Sequence, residues 1–68
     1  MDVRITTDYI TLGQLVKYLG LISNGAEAKE YILKSKIQVN NEIDARRGRK
    51  IYPGDVVAIK GTQYKIVS

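Results

Sequence analysis

The stretch TLGQLVKYLGLISNGAEAKEYILKSKIQVNN, residues 11–41, changes its hydrophobic period part-way along. Leu12, Leu15, Val16 and Leu19 recur at i, i+3, i+4 and i+7, the spacing of one apolar helix face. Thr11 reads as the N-cap, Gln14 as its capping-box partner and Gly20 as the end signal. Ser23 or Asn24 restarts the pattern, with Glu27 at capping-box spacing from Asn24. Ala28, Tyr31, Ile32 and Ser35 then form the inward face of a second helix. From Ile37 the period falls to two: Ile37 and Val39 alternate with Gln38. Asparagine tolerates the left-handed backbone region, so Asn40-Asn41 predicts a tight hairpin turn.

On the N-terminal side, Val3-Arg4-Ile5-Thr6 alternates and is rich in β-branched residues, which predicts a short strand. On the C-terminal side, Ile43 and Ala45 continue a returning strand. Tyr52-Pro53-Gly54-Asp55 carries Pro and Gly at the central positions of a type II turn. Val56–Ile59 reads as a buried strand, Gly61-Thr62 as a turn, and Tyr64, Ile66 and Val67 as a last strand. The expectation is a single α+β domain over residues 1–68: two short helices packed on a small, mostly antiparallel sheet of four to five strands.

The 68 residues contain no cysteine and no histidine, which excludes Cys/His zinc sites and Cys or His nucleophiles. The acidic residues Asp2, Asp8, Asp44 and Asp55 are scattered, with no pair at acid–base or metal spacing. Neither GxGxxG nor GxxxxGK[ST] is present. A chain this short buries only about 60% of its unfolded surface, leaving little room for a shielded pocket. No enzyme activity, cofactor or small-molecule substrate is expected. No apolar run reaches membrane-helix length. The segment MDVRITTDYI lacks the apolar stretch of a signal peptide, so a cytoplasmic location with no membrane partner is expected.

The formal net charge is +4 and the pI about 9.5, a balance that favours a polyanionic partner. Its distribution says more. Arg46-Arg47-Gly48-Arg49-Lys50 places four of the eleven positive charges in five positions with no acid among them. Arginines can grip phosphate oxygens in bidentate fashion, and Gly48 would let the backbone come close to a ligand. On a helical wheel, Gly25, Lys29 and Lys36 share an acid-free flank of the second helix, while Glu27, Glu30 and Lys34 share the other. Glu30 and Lys34 form an i,i+4 pair in the favourable order. The first helix carries Gly13, Lys17 and Gly20 on the equivalent flank. Exposed lysines are ordinarily only solvated, so the acid-free flank is what makes these candidates. Tyr31 and Tyr64 are in phase with apolar neighbours and read as core-edge residues; Tyr18 and Tyr52 are the candidates for stacking on bases.

The elements of residues 11–57 together resemble the S-four domain, the RNA-binding module named after small-subunit ribosomal protein number four. The resemblance rests on Leu19-Gly20-Leu21 closing the first helix, Ser23 with Ala26-Glu27-Ala28-Lys29 and Ile32, the strand Ile37-Gln38-Val39-Asn40, and Pro53-Gly54-Asp55-Val56, in that order. The whole chain is also similar to the stand-alone bacterial group called YaaA. The resemblance implies that the two helices and the hairpin form an αL-type RNA-binding motif, an L-shaped face on which Ser23, Lys29, Asn40 and Asn41 match family positions. Many members begin the first helix with Arg-Leu-Asp, where this chain has Thr11-Leu12-Gly13, and carry arginine where this chain has Gly25. Ser35 and Asn41 stand where glycines are common in the family. The basic cluster is then expected to supply the charge that the helices lack.

The expected function is recognition of structured RNA, ribosomal RNA in a ribosomal subunit or its assembly, by Arg46, Arg47, Arg49, Lys50, Lys29, Lys36 and Lys17, with hydrogen bonds from Ser23, Asn40 and Asn41. A DNA-binding helix-turn-helix is the first rival, but Asn24-Gly25-Ala26 offers few base-reading side chains where a recognition helix needs them. A small protein–protein adaptor is the second. A sulfur-carrier tail would need a terminal Gly-Gly, and the chain ends Ile66-Val67-Ser68.

Overall fold

The computed structural model describes residues 1–68. Strands β1 (Asp2–Arg4) and β2 (Ile10–Thr11) lead into helix α1 (Leu12–Tyr18). A 3-10 turn (Gly25–Glu27) opens onto helix α2 (Ala28–Ser35). Strands β3 (Gln38–Val39), β4 (Glu42–Ile43), β5 (Lys50–Ile51), β6 (Val56–Ile59) and β7 (Thr62–Val67) complete the chain. Five strands form one sheet in the order β1-β7-β6-β3-β4; β2 and β5 form a second, two-stranded ribbon. Only β1 with β7 is parallel. The architecture is the expected α+β arrangement, with the β2–β5 ribbon as an element that the hydrophobic pattern does not announce.

Each helix ends where its residues dictate. Thr11 and Gln14 form a reciprocal capping box: Gln14 N donates to Thr11 Oγ1 at 3.2 Å and Thr11 N donates to Gln14 Oε1 at 3.0 Å. At the other end, Gly20 N donates to the Lys17 carbonyl and Leu21 N to the Val16 carbonyl, both at 3.0 Å. These are the two bonds of a Schellman motif, closed by Gly20 at φ 77°. The second helix departs from the capping-box expectation. Asn24 Oδ1 accepts from Ala26 N at 3.0 Å, and Glu27 N bonds the Asn24 carbonyl rather than its side chain. The chain therefore enters α2 through a 3-10 turn, and Glu27 has no reciprocal cap to make. The Glu30–Lys34 pair forms as expected, at 2.7 Å on the exposed face.

The two hairpins are tight. Asn40 and Asn41, at φ 52° and 71°, join β3 to β4. Lys60 and Gly61, at φ 49° and 84°, join β6 to β7. Two consecutive left-handed residues match the right-handed twist of the flanking strands. The second turn thus lies one residue earlier than Gly61-Thr62, and Thr62 begins the strand. Asp55 N donates to the Tyr52 carbonyl at 3.0 Å, with Gly54 at φ 100°, which completes the turn expected at Pro53-Gly54.

The apolar face of α1 (Leu12, Leu15, Val16) and that of α2 (Ala28, Ile32) meet the inner face of the sheet (Val39, Val57, Ile66) in one core. Ile51 of the ribbon is fully buried in the same core. Burying one such side chain contributes about 1.5–3 kcal/mol, so the ribbon is tied down by its apolar residue rather than by its length. Ile43, by contrast, is exposed on the short edge strand β4.

Lys36 closes α2 in the left-handed region, at φ 49°. A β-carbon there crowds the following carbonyl, at a cost of roughly 1–2 kcal/mol relative to right-handed backbone. Glycine relieves that crowding but loses more freedom on folding. Lys36→Gly is therefore expected to raise stability by about 0.5–1 kcal/mol, measured as a higher urea midpoint with unchanged slope.

Candidate nucleic-acid interface

The basic cluster is a loop with a fixed shape, and an acid fixes it. Asp44 is 8% exposed, the one buried charged residue of the chain. Its Oδ1 accepts from the Arg46 backbone N–H at 2.9 Å and from Arg46 Nε at 3.1 Å. Its Oδ2 accepts from Arg46 Nη2 and from Arg49 Nη1, each at 2.8 Å. The Arg46 guanidinium does most to hold the Asp44 carboxyl well below the usual carboxylate range, against the opposing effect of burial; the Arg46 N–H and the Arg49 guanidinium add to it. Asp44 in turn raises the Arg46 pKa. Two of the four cations in the cluster are thus already paired, whereas Arg47 and Lys50 have no carboxylate partner.

The same loop is bonded to the start of α1. Leu12 N donates to the Arg49 carbonyl and Gly13 N to the Arg47 carbonyl, both at 2.8 Å. Two N–H groups that a helix leaves without internal partners are satisfied by the loop. Gly13 makes the approach feasible. A β-carbon there would stand 3.3 Å from both the Arg47 β-carbon and the Arg47 carbonyl oxygen, and 3.7 Å from the Ala28 β-carbon. The loop, α1 and the beginning of α2 therefore meet at one point.

Two clefts flank this junction. One, of about 390 Å³, is lined by Thr11, Gly13, Gln14, Lys17, Gly25, Ala28, Arg47 and Gly48. The other, of about 580 Å³, is lined by Arg46, Gly48, Arg49, Lys50, Tyr52 and Asp55. Gly48 belongs to both. The structure thus brings Lys17 together with Arg47, and Arg46 with Arg49 and Lys50. Lys29 is exposed, directly after Ala28 and one turn beyond Gly25, two residues of the first cleft. Lys36 stands eight residues from Ala28, about 12 Å along the helix at 1.5 Å per residue, and outside both clefts. Ser23 is exposed between the helices and Asn41 at the hairpin tip.

Asn40 has a structural task in the fold. Its Nδ2 donates to Asp55 Oδ1 at 3.1 Å, its Oδ1 accepts from Val56 N at 3.0 Å, and its backbone N–H donates to the Val56 carbonyl at 2.8 Å. Asp55 Oδ2 also accepts from Tyr52 N at 2.8 Å. Asn40 and Asp55 together lock the hairpin to the Pro53-Gly54 turn beside the second cleft.

Reasoning from sequence misses the parts played by Asp44 and Tyr9; Gly13 it places on the flank of Lys17, without the loop that docks there. The signal for Asp44 was present: an Asp whose carboxylate bonds the backbone two residues on is an Asx-turn, and Asp44-Ala45-Arg46 has that spacing. Tyr9 is brought in by pairing. The ribbon register sets Ile10 opposite Ile51 and Thr11 opposite Lys50, and continued by one residue it sets Tyr9 opposite Tyr52. Their ring centroids are 5.8 Å apart, and Lys50 Nζ lies 5.1 Å from the Tyr9 ring centre. No three His, Cys, Asp or Glu side chains converge as a metal site, and no helix is long and apolar enough to cross a membrane.

The family model described as the S4 domain matches residues 3–67. The chain belongs to the S4 domain family. Among curated proteins, this S4 domain chain is 48% identical over 59 residues to the "Probable ribosome maturation protein RlbA" of Bacillus subtilis (strain 168), covering 87% of this chain and 83% of that protein. The family match spans nearly all of the 68 residues.

Asp44 supports the loop with charge-assisted hydrogen bonds that its amide analogue cannot reproduce. Asp44→Asn is expected to lower stability by about 2 kcal/mol at neutral pH. Because the folded-state pKa of Asp44 lies below its unfolded value, its contribution is complete above the ordinary carboxylate pKa of about 3.9 and fades as pH falls below it. Thermal melts of wild type and Asp44→Asn should therefore differ at pH 7, and the difference should narrow progressively as pH falls below about 4.

Proposed function

We propose that this chain is a non-catalytic RNA-binding protein that engages structured ribosomal RNA during maturation of a ribosomal subunit, in the cytoplasm and without a cofactor. The observation that carries the reading is the docking of the Arg46–Lys50 loop onto the first turn of α1. It puts Arg47 and Lys17 on one cleft with the glycine-opened start of α2. Family membership and the name of the Bacillus subtilis relative support the RNA class and the ribosomal setting.

In this mechanism the side chains divide the work. Arg47 and Lys50, free of carboxylates, neutralise backbone phosphates, with Lys17 and Lys29 on the helical side. Arg46 and Arg49 keep their loop in shape through Asp44 and offer their remaining N–H groups to the same backbone. A loop already ordered in the free protein loses little freedom on binding. Ser23 and Asn41 add hydrogen bonds at the rim, and Asn40 holds the hairpin in place. Lys36, outside both clefts at the far end of α2, is the outermost cation of the helical side.

Arg47→Ala combined with Lys50→Ala is expected to weaken binding of a structured RNA hairpin ten-fold or more at moderate salt. Losing two phosphate contacts should also flatten the slope of log K against log salt by about 1.4 on single-stranded segments and about 1.8 on a duplex. Filter binding across a salt series measures both. Unchanged affinity and slope in the folded double variant would rule out the loop as the phosphate contact.

A further inference from the structure

The largest concavity of the molecule lies beside the basic clefts and is chemically different from them. It measures about 970 Å³ and is lined by Thr7, Asp8, Tyr9, Ile10, Gln14, Lys17 and Tyr18. Tyr9 and Tyr18 are both exposed, Tyr18 at 64%. The Tyr9 segment is held at both sides: Thr7 Oγ1 donates to the Tyr9 carbonyl at 2.7 Å, and Ile10 pairs with Ile51. The cleft shares Gln14 and Lys17 with the Arg47 cleft. On its other side the Tyr9–Tyr52 contact joins it to the cleft of Arg46, Arg49 and Lys50.

These surroundings select an occupant. A phosphate would meet Asp8 and two aromatic rings, which disfavour it. A flat, neutral ring with polar edges fits: it stacks on tyrosine, donates to the Asp8 carboxylate, and accepts from Gln14 Nε2. That nitrogen is free, because Gln14 uses only its Oε1 and its backbone N–H in the helix cap. Two cations are close to the cleft: Lys17 lines it, and Lys50 Nζ lies 5.1 Å from the centre of the Tyr9 ring.

We propose that the Tyr9–Tyr18 cleft receives one unpaired base of the bound RNA, while the phosphates flanking it rest on Lys17 and on the Arg46–Lys50 loop. This rests on the RNA-binding reading above and adds to it a preference for RNA with a bulged or looped-out nucleotide. Aromatic side chains stack on every base with little sequence preference, so the cleft selects for an available base before it selects for its identity.

The test compares two RNA hairpins of one sequence, one with a single bulged 2-aminopurine and one with that nucleotide paired. Wild type is expected to bind the bulged hairpin more tightly and to quench its fluorescence. Tyr18→Ala should lose roughly five-fold or more on the bulged hairpin, the lower end for one base–aromatic stack, and little on the paired one. Tyr18→Phe should restore both affinity and quenching. Tyr18 is exposed at the end of α1, and a thermal melt shows whether the variant is folded. If Tyr18→Ala binds the bulged hairpin like wild type, or loses equally on both, the base cleft is overturned. If Arg47→Ala with Lys50→Ala still weakens both hairpins in that case, the RNA-binding reading survives it. Failure of wild type to bind either hairpin overturns both.

Discussion

The buried carboxylate of Asp44 is the constraint on which the shape of the proposed RNA surface depends. Four like charges in five residues repel one another, and such a run is ordinarily a solvated, mobile segment. Here one acid with four incoming N–H bonds gathers two of the arginines and the backbone N–H of Arg46. The repulsion is offset where it is greatest, and the carbonyls of Arg47 and Arg49 are left facing α1, where they complete the helix start. Arg47 is thereby held beside α1, while Lys50 is placed by its pairing with Thr11 in the β2–β5 ribbon. Charge neutralisation inside the loop and charge presentation outside it are two results of the same contact.

The rest of the fold serves that arrangement under the limits of a short chain. A domain of this size has little core, and stability of this order leaves few kcal/mol in hand. The structure answers with tight connections: a capping box, a Schellman end, two two-residue hairpins and a type II turn. The β2–β5 ribbon has only two residues in each strand, but Ile51 sinks one of them into the core and the register aligns Tyr9 with Tyr52. Polar side chains perform structural work for the same reason. Asn40 and Asp55 fasten one turn to another where a larger protein would have packing to spare.

Much of this was legible in residues 11–41, where the change of hydrophobic period separates helices from sheet. Local signals with a single physical meaning fold as they predict: Thr11 with Gln14, Gly20, Asn40-Asn41, Pro53-Gly54. The fold departs from expectation where several geometries suit one pattern. Asn24 to Glu27 fits a capping box by spacing but folds as a 3-10 turn, and the last hairpin places lysine rather than threonine beside Gly61. The proposed site was legible as charge and illegible as geometry. The cluster is plain in the sequence, but its acid lies just outside it, and the distinction between paired and free arginines exists only in three dimensions. Tyr9 belongs to the surface solely through the pairing of β2 with β5, which join residues some forty positions apart.

The central claim is that the Arg46–Lys50 loop and the facing flanks of α1 and α2 act as one ordered RNA surface. The most direct measurement is amide mapping by NMR during titration with a structured RNA hairpin. The account predicts that shifts concentrate at Gly13, Lys17, Gly25, Lys29, Arg47 and Gly48, while amides of β1 and β7 stay in place. Shifts gathered instead on the β4 edge around Ile43, or a loop whose amides are mobile in the free protein, would contradict it.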